Sequence, residues 1–146
     1  MTMQRKAEHA VFTVERVYGA KPERVFAAWS NPEAKAKWFA KSEVFEFRVG
    51  GREFNSDTFP DGTTVQFEAN YQEIVQDERI VYSYSLDMNG NRVSVSVASV
   101  ELKPENEGTR LVFTESGVFL DGHDTAEQRE HGTGIMMDML GKLLSE

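Results

Sequence analysis

The stretch I-V-Y-S-Y-S-L-D-M-N-G (residues 80–90) indicates the fold more strongly than any other part of the chain. Its large side chains at 80, 82, 84, 86 and 88 recur at every second position, with Ser83, Ser85 and Asp87 on the opposite face, as in a strand that buries one face. Asn89-Gly90 follows, and this dipeptide is the strongest short-range signal for a β-hairpin. The stretch therefore predicts one antiparallel strand that turns directly into the next.

Five more strand-like segments belong to the same meander, and turn residues separate them. They are residues 44–48, 52–59, 63–75, 92–102 and 109–115. Glycine pairs, Pro-Asp-Gly and a polar loop at 104–108 supply the turns. In the segment 92–102 the apolar positions shift from odd to even numbers near Val97-Ala98, which predicts a β-bulge at that point.

The two ends of the chain predict one further strand and three helices. Residues 11–18 are β-branched and aromatic, as in a strand. Pro22 begins a helical pattern, and Asn31-Pro32 ends it and opens a second short helix that finishes near residue 39. Residues 125–144 predict a long amphipathic helix with Gly132 and Gly134 inside it, although the ordered helix could also begin after Gly134.

This order of elements predicts an α+β fold in which a seven-stranded, curved antiparallel sheet grips one long C-terminal helix, with two short helices beside it. Only the C-terminal helix is long enough to cover the buried face of the sheet. A curved sheet closing on a single helix rarely fills completely, so an apolar cavity is expected between them. No repeat, linker or low-complexity segment interrupts the chain, and residues 1–146 are expected to form one domain.

Five segments also look familiar: P-E-R-V-F-A-A-W-S-N-P-E (22–33), F-R-V-G-G-R-E-F (47–54), Y-Q-E-I-V-Q-D-E-R-I-V-Y (71–82), G-T-R-L-V-F-T-E (108–115) and H-G-T-G-I-M-M-D-M-L (131–140). In their order and spacing they resemble the START/Bet v 1-like superfamily (SRPBCC), and in particular the branch named after the C-terminal domain of the activator of Hsp90 ATPase (AHSA1-like). The resemblance covers about residues 11–144. It implies a helix-grip fold whose cavity carries lipids or hormones, or cyclises polyketides. Many relatives have Gly-Trp where this chain has Gly132-Thr133, a change that would widen the mouth of the cavity.

Eight residues are predicted to line this cavity: Trp38, Phe39, Phe67, Tyr71, Tyr82, Tyr84, Met136 and Leu140. Tyr82 and Tyr84 of the strand 80–88 are expected to face Met136 and Leu140 across the cavity. Trp38 and Phe39 are expected to form its lip. Each of the eight could instead be ordinary core, but buried tyrosine hydroxyls need hydrogen-bond partners and fit a pocket better. Arg129 could contact an anionic head group, but a solvated helix end is the preferred interpretation.

No catalytic motif stands out, and no cofactor is predicted. Cysteine is absent, and no nucleophile elbow, phosphate loop or dinucleotide fingerprint occurs. His123, Glu127 and His131 have the spacing of a helical metal site, but a solvated helix face is the preferred interpretation, so no metal is expected. The strand carboxylates of Glu68, Glu101 and Glu115 could act as acid or base if one pointed inward, and strand alternation alone does not decide which one does.

The net charge of −8 argues against binding to nucleic acid or to an anionic membrane. Residues 1–10 contain no apolar signal-peptide core, and no apolar run reaches the roughly 20 residues of a membrane span, so a cytoplasmic protein is expected. The leading hypothesis is a domain that binds a small hydrophobic or amphipathic molecule. The alternatives are a cyclase- or hydrolase-type enzyme using the same cavity and an accessory of an Hsp90-type chaperone ATPase. The sequence leaves open whether the chain forms a homodimer.

Overall fold

The computed structural model describes residues 5–146, so residues 1–4 of the segment screened for a signal peptide lie outside it. The elements are β1 (Ala7–Tyr18), α1 (Pro22–Ser30), α2 (Pro32–Lys35), β2 (Val44–Phe45), β3 (Arg52–Thr58), β4 (Thr64–Val75), β5 (Arg79–Met88), β6 (Asn91–Glu105), β7 (Gly108–Leu120) and α3 (Ala126–Leu144). The strands form one sheet in the order β1-β7-β6-β5-β4-β3-β2, and all neighbours are antiparallel. The predicted helix-grip α+β fold is therefore confirmed.

The two short helices close one end of the sheet, and their boundaries follow from local chemistry. Pro22 occupies the first turn of α1, which buries Phe26 and Trp29. The side chain of Asn31 accepts a hydrogen bond from the backbone N–H of Ala34 at 3.0 Å and caps α2. The α2 helix ends at Lys35, a few residues earlier than the sequence pattern predicted, and turns carry the chain on to Phe39.

The long helix α3 lies across the concave face of the sheet. Thr125 caps it by accepting from the backbone N–H of Gln128 at 3.1 Å, so the helix includes both Gly132 and Gly134. Near its C-terminal end the hydroxyl of Tyr18 donates to the carbonyl of Met137 at 2.8 Å. A Cβ at Gly141 would stand 3.2 Å from the Tyr18 ring, so glycine permits this close approach. Within residues 5–146, no helix combines the length and apolarity needed to cross a membrane.

The β5–β6 hairpin confirms one local prediction and corrects another. Asn89 and Gly90 form its turn with φ of 52° and 81°, as the Asn-Gly pair predicted. The predicted bulge near Val97-Ala98 is wrong, because pairing with β7 continues without a break from Ser94 onward and the register with β5 shifts at Val93 instead. The apolar pattern misleads because Val95 and Val97 point outward, whereas Ser94 and Ser96 point into the core.

Candidate functional site

A cavity of about 450 Å³ lies between the concave face of the sheet, the two short helices and the N-terminal half of α3. Its wall contains residues from β3, β4, β5 and β7 on one side and Met136 and Met137 of α3 on the other. Aromatic rings form much of this wall, and the main ones are Trp29, Trp38, Phe39, Phe67, Tyr82 and Tyr84. Beside Gly132, no atom lies within 4 Å of the position where a Cβ would stand, so the helix leaves open space there.

Six of the eight residues predicted to line a cavity are part of this wall: Trp38, Phe39, Phe67, Tyr82, Tyr84 and Met136. The other two lie elsewhere. Leu140 is fully buried in the core beyond the cavity, and Tyr71 directs its hydroxyl to the carboxylate of Glu53. The expectation that Trp38 forms the lip is wrong, because its ring is 2% exposed and its indole N–H donates to the carbonyl of Ala28 at 2.9 Å.

The rings of the wall contact one another in a continuous series. Trp29 packs edge-on against Trp38 with ring centroids 4.7 Å apart. Phe67 lies 5.0 Å from both Phe39 and Tyr84, measured between ring centroids. Such pairs hold each ring in a fixed orientation, because edge and tilted geometries match the quadrupoles of the π systems. These rings thus form a continuous apolar surface within the wall.

A buried ion pair lies under one end of the cavity. The Lys35 ammonium donates to Glu53 Oε1 at 2.8 Å, and the two side chains are 5% and 1% exposed. Tyr71 donates to the same oxygen and Ser42 to Oε2, so both oxygens of Glu53 have donors. Four rings surround the ammonium within 6.0 Å of their centroids, namely Trp29, Phe39, Phe45 and Tyr82. Burial lowers the pKa of Lys35, and the carboxylate of Glu53 opposes that shift.

A second buried ion pair, Glu115 with Arg129, belongs to the cavity wall itself. One carboxylate oxygen of Glu115, Oε2, accepts from Ser96 at 2.7 Å, from Tyr84 at 2.8 Å and from Arg129 at 3.2 Å. The other oxygen, Oε1, is buried and has no hydrogen-bond partner. Of the strand carboxylates considered from the sequence, Glu115 is the one that points inward, whereas Glu68 pairs with Arg52 at the partly exposed outer face.

Arg129 joins the first turns of α3 to the sheet. Besides Glu115, its guanidinium donates to Tyr84 at 2.7 Å, to Ser94 at 2.8 Å and to Asp124 at 3.0 Å. The expectation of a solvated helix end is therefore wrong, since this side chain is 10% exposed. Burial lowers the pKa of Arg129, but Tyr84, Glu115 and Asp124 together more than offset this, so the guanidinium stays charged. Burial, followed by the charge of Glu115, raises the pKa of Tyr84, which keeps its proton as a donor.

The residues with metal-site spacing lie outside the cavity. His123 precedes the helix, which begins at Ala126, so the three side chains cannot stack on one helical face. Glu127 and His131 line an open groove of about 540 Å³ between β1 and α3. Among the described residues, no group of three or more His, Asp or Glu side chains is arranged to hold a metal ion.

Sequence reasoning missed Lys35, Glu53 and Asn55, and it named Arg129 and Glu115 only as separate candidates without predicting that they pair. The pattern of β6 gave no signal for this pairing, because Ser94 and Ser96 are buried whereas Val95 and Val97 are exposed, the reverse of what alternation of polar and apolar residues predicts.

The sequence profile described as "Activator of Hsp90 ATPase homolog 1-like protein" matches residues 19–145. A solved structure of a protein from Rhizobium leguminosarum is 40% identical, with a TM-score of 0.93 over 97% of this chain and 98% of that one. A protein from Rhizobium loti is 38% identical, with a TM-score of 0.90 over 94% and 99%. One from Chromobacterium violaceum is 27% identical, with a TM-score of 0.83 over 93% and 97%. No match is found among curated proteins.

Proposed function

The chain belongs to the family of activator of Hsp90 ATPase homolog 1-like proteins, within the START/Bet v 1-like superfamily, and from that premise we propose that it binds a small amphipathic molecule between the sheet and α3. The family membership confirms the resemblance drawn from the sequence. The observation that carries the proposal is a cavity of about 450 Å³ whose wall combines fixed aromatic rings with a few buried polar groups. Small-molecule sites have this volume and this composition.

The energetics favour an apolar body with few polar groups. Apolar area removed from water contributes about 25 cal/mol per Å², so a ligand that buries about 200 Å² on these rings gains roughly 5 kcal/mol before the costs of association. Met136 and Met137 supply adaptable contacts on the helix side, because the thioether chain adjusts to irregular shapes. Phe39 is partly exposed and Phe59 is 49% exposed, so these two lining residues reach the surface where a ligand would enter.

Gly132 offers a sharp test of this proposal. Gly132→Ala and Gly132→Leu both improve helix propensity by up to about 1 kcal/mol, but only leucine fills the open space beside the helix. We expect the neutral fluorescent probe N-phenyl-1-naphthylamine to bind the wild-type protein and Gly132→Ala, with blue-shifted emission, and to bind Gly132→Leu at least about tenfold more weakly.

The melting temperature provides the second measurement. At a probe concentration a hundredfold above Kd, binding to the folded state stabilises it by about 2.7 kcal/mol, which is several degrees for a domain of this size. Equal binding to the wild-type protein and to Gly132→Leu would place the probe outside the cavity and refute the proposal. Absence of binding by this probe and by a panel of fatty acids, steroids and aromatic polyketides would refute it as well.

A second candidate function, cyclase- or hydrolase-type chemistry, is favoured by one observation, the partnerless Oε1 of Glu115 beside the cavity. As a general base this oxygen would take a proton from a water molecule that attacks a bound ester. Release of 4-nitrophenol from 4-nitrophenyl esters should then be faster with the wild-type protein than with Glu115→Gln. Equal rates for the two proteins would exclude this ester hydrolysis by Glu115.

A further inference from the structure

Three buried side-chain atoms in the described residues have no hydrogen-bond partner: Trp29 Nε1, Asn55 Nδ2 and Glu115 Oε1. All three side chains belong to the wall of the same cavity. Buried polar atoms are almost always paired, and an unpaired one costs about 1–3 kcal/mol. Within residues 5–146 all three belong to residues of one cavity wall, so a molecule bound there is a candidate to supply their partners.

The chemistry of Glu115 determines which kind of ligand group can form a hydrogen bond with its Oε1 atom. Three donors converge on Oε2, and one of them is the guanidinium of Arg129, so the Glu115 side chain of this ion pair is held in one orientation. A carboxylate oxygen only accepts hydrogen bonds. The ligand group that meets Oε1 must therefore be a donor, a hydroxyl or an N–H.

The other two unpaired atoms, Trp29 Nε1 and Asn55 Nδ2, need a hydrogen-bond acceptor. The indole Nε1 of Trp29 only donates, and the amide Nδ2 of Asn55 is also a donor. Asn55 stands on β3 and Glu115 on β7, with three strands between them. Four strand spacings measure about 19 Å along the sheet, and the concave curvature makes the direct path between the two side chains shorter than that.

The charges of the wall exclude an anionic ligand. The Lys35 ammonium is paired with Glu53, and the Arg129 guanidinium with both Glu115 and Asp124. Asp57 adds a further carboxylate at the exposed part of the cavity lining. No cation of the wall is left over for a carboxylate or phosphate, and burying an unpaired anion there would be costly.

Resting on the proposed function, we propose that the ligand is an uncharged, flat molecule that donates a hydroxyl or N–H hydrogen bond to Glu115 Oε1 and accepts hydrogen bonds from Trp29 and Asn55 through a carbonyl or ether. The series of contacting rings holds its apolar body. A phenol or enol at one end and a ketone at the other satisfy this pattern. Fatty acids, whose head group is an anion, do not.

Two matched pairs of probes test the proposal through displacement of N-phenyl-1-naphthylamine at pH 7. The first pair is 2-naphthol and 2-methoxynaphthalene, which differ in the donor. We expect the wild-type protein to prefer 2-naphthol by about tenfold or more, because a hydrogen bond to a charged group is lost in the ether. Glu115→Gln keeps an amide oxygen for the three donors but turns an N–H₂ toward the cavity, so the preference should vanish or reverse.

The second pair is 6-acetyl-2-naphthol and 2-naphthol, which differ in the acceptor. The ketone should bind the wild-type protein about fivefold more tightly, and Trp29→Phe, which keeps an aromatic ring but no N–H, should remove that advantage. Glu68→Gln, on the outer face of the sheet, is the matched control and should change none of these ratios.

The outcomes separate this inference from the proposed function. If 2-naphthol and its ether bind the wild-type protein equally, or if the acetyl group gives no advantage, the inference is overturned while apolar binding in the cavity stands. If no neutral probe binds, the proposed function fails first. The wild-type comparison of 2-naphthol with its ether needs no variant, so a Glu115→Gln protein that failed to fold would leave the decision intact.

Discussion

Replacing Lys35 by methionine tests how the charged layer under the cavity is held together. Methionine keeps a flexible side chain of similar length among the four rings, but Glu53 loses its only cation while remaining 0% exposed. Removing one partner of a buried ion pair destabilises a protein by about 3–5 kcal/mol, because the other charge stays buried and uncompensated. For a domain of this size we expect the melting temperature to fall by roughly 6–20 °C.

Urea unfolding followed by tryptophan fluorescence gives the free energies for a double-mutant cycle. Lys35→Met and Glu53→Leu should each lose several kcal/mol, whereas the double variant should recover most of the loss, since removing both charges leaves no buried ion. Arg52→Met is the control, because its pair with Glu68 is 39% and 44% exposed and should contribute less than about 1 kcal/mol. A single variant that loses less than about 1 kcal/mol, or a double variant equal to the sum of the singles, would refute this reasoning.

Three other predictions concern stability, packing and metal binding. Burial raises the pKa of all four tyrosines, so they contribute no pH dependence to stability below pH 10. Above pH 10 the unfolded chain releases tyrosine protons that the folded chain retains, so the free energy of unfolding should fall by about 1.4 kcal/mol per pH unit for each tyrosine. Absorbance at 295 nm should therefore show tyrosine ionisation only together with unfolding. Gly132→Ala, made in open space, should raise the melting temperature, and Gly141→Ala should raise it less or lower it, because its Cβ would stand 3.2 Å from the Tyr18 ring and offset the gain in helix propensity. Calorimetric titration with zinc should show no binding tighter than about micromolar, because His123 lies in the turn before α3; a stoichiometric site lost in His131→Ala would contradict this.

The fold could be predicted because several independent signals agree. Three features each specify a local structure: the alternation in β5, the Asn-Gly turn and the capped long helix. Their order along the chain favours one arrangement, in which the long helix covers the apolar face of the sheet. The site was predictable only in its apolar half. Tyr82 and Tyr84 stand on a strand with a clean period of two, so their inward direction followed from the pattern.

The polar half could not be predicted because it reverses the rule on which strand patterns depend. In β6, Val95 and Val97 face outward while Ser94 and Ser96 are buried, which reads in the sequence as an apolar strand with the opposite face inward. The buried serines make sense only when Glu115 and Arg129, which are distant in sequence, are brought against them. Contacts between residues that are so far apart along the chain produce no periodic pattern in the sequence.

The two buried ion pairs differ in how completely the oxygens of their carboxylates are hydrogen-bonded. Well-packed apolar residues are often as stable as a buried ion pair, so stability alone does not require either pair. Around Glu53 both carboxylate oxygens have donors, and the pair is closed. Around Glu115 one oxygen receives three donors and the other receives none, although the backbone makes room for this arrangement: a Cβ at Gly117 would stand 2.6 Å from the Ser96 hydroxyl that donates to Glu115. The unpaired Oε1 of a carboxylate whose other oxygen has three donors is therefore the feature on which the proposed hydrogen bond from a ligand depends.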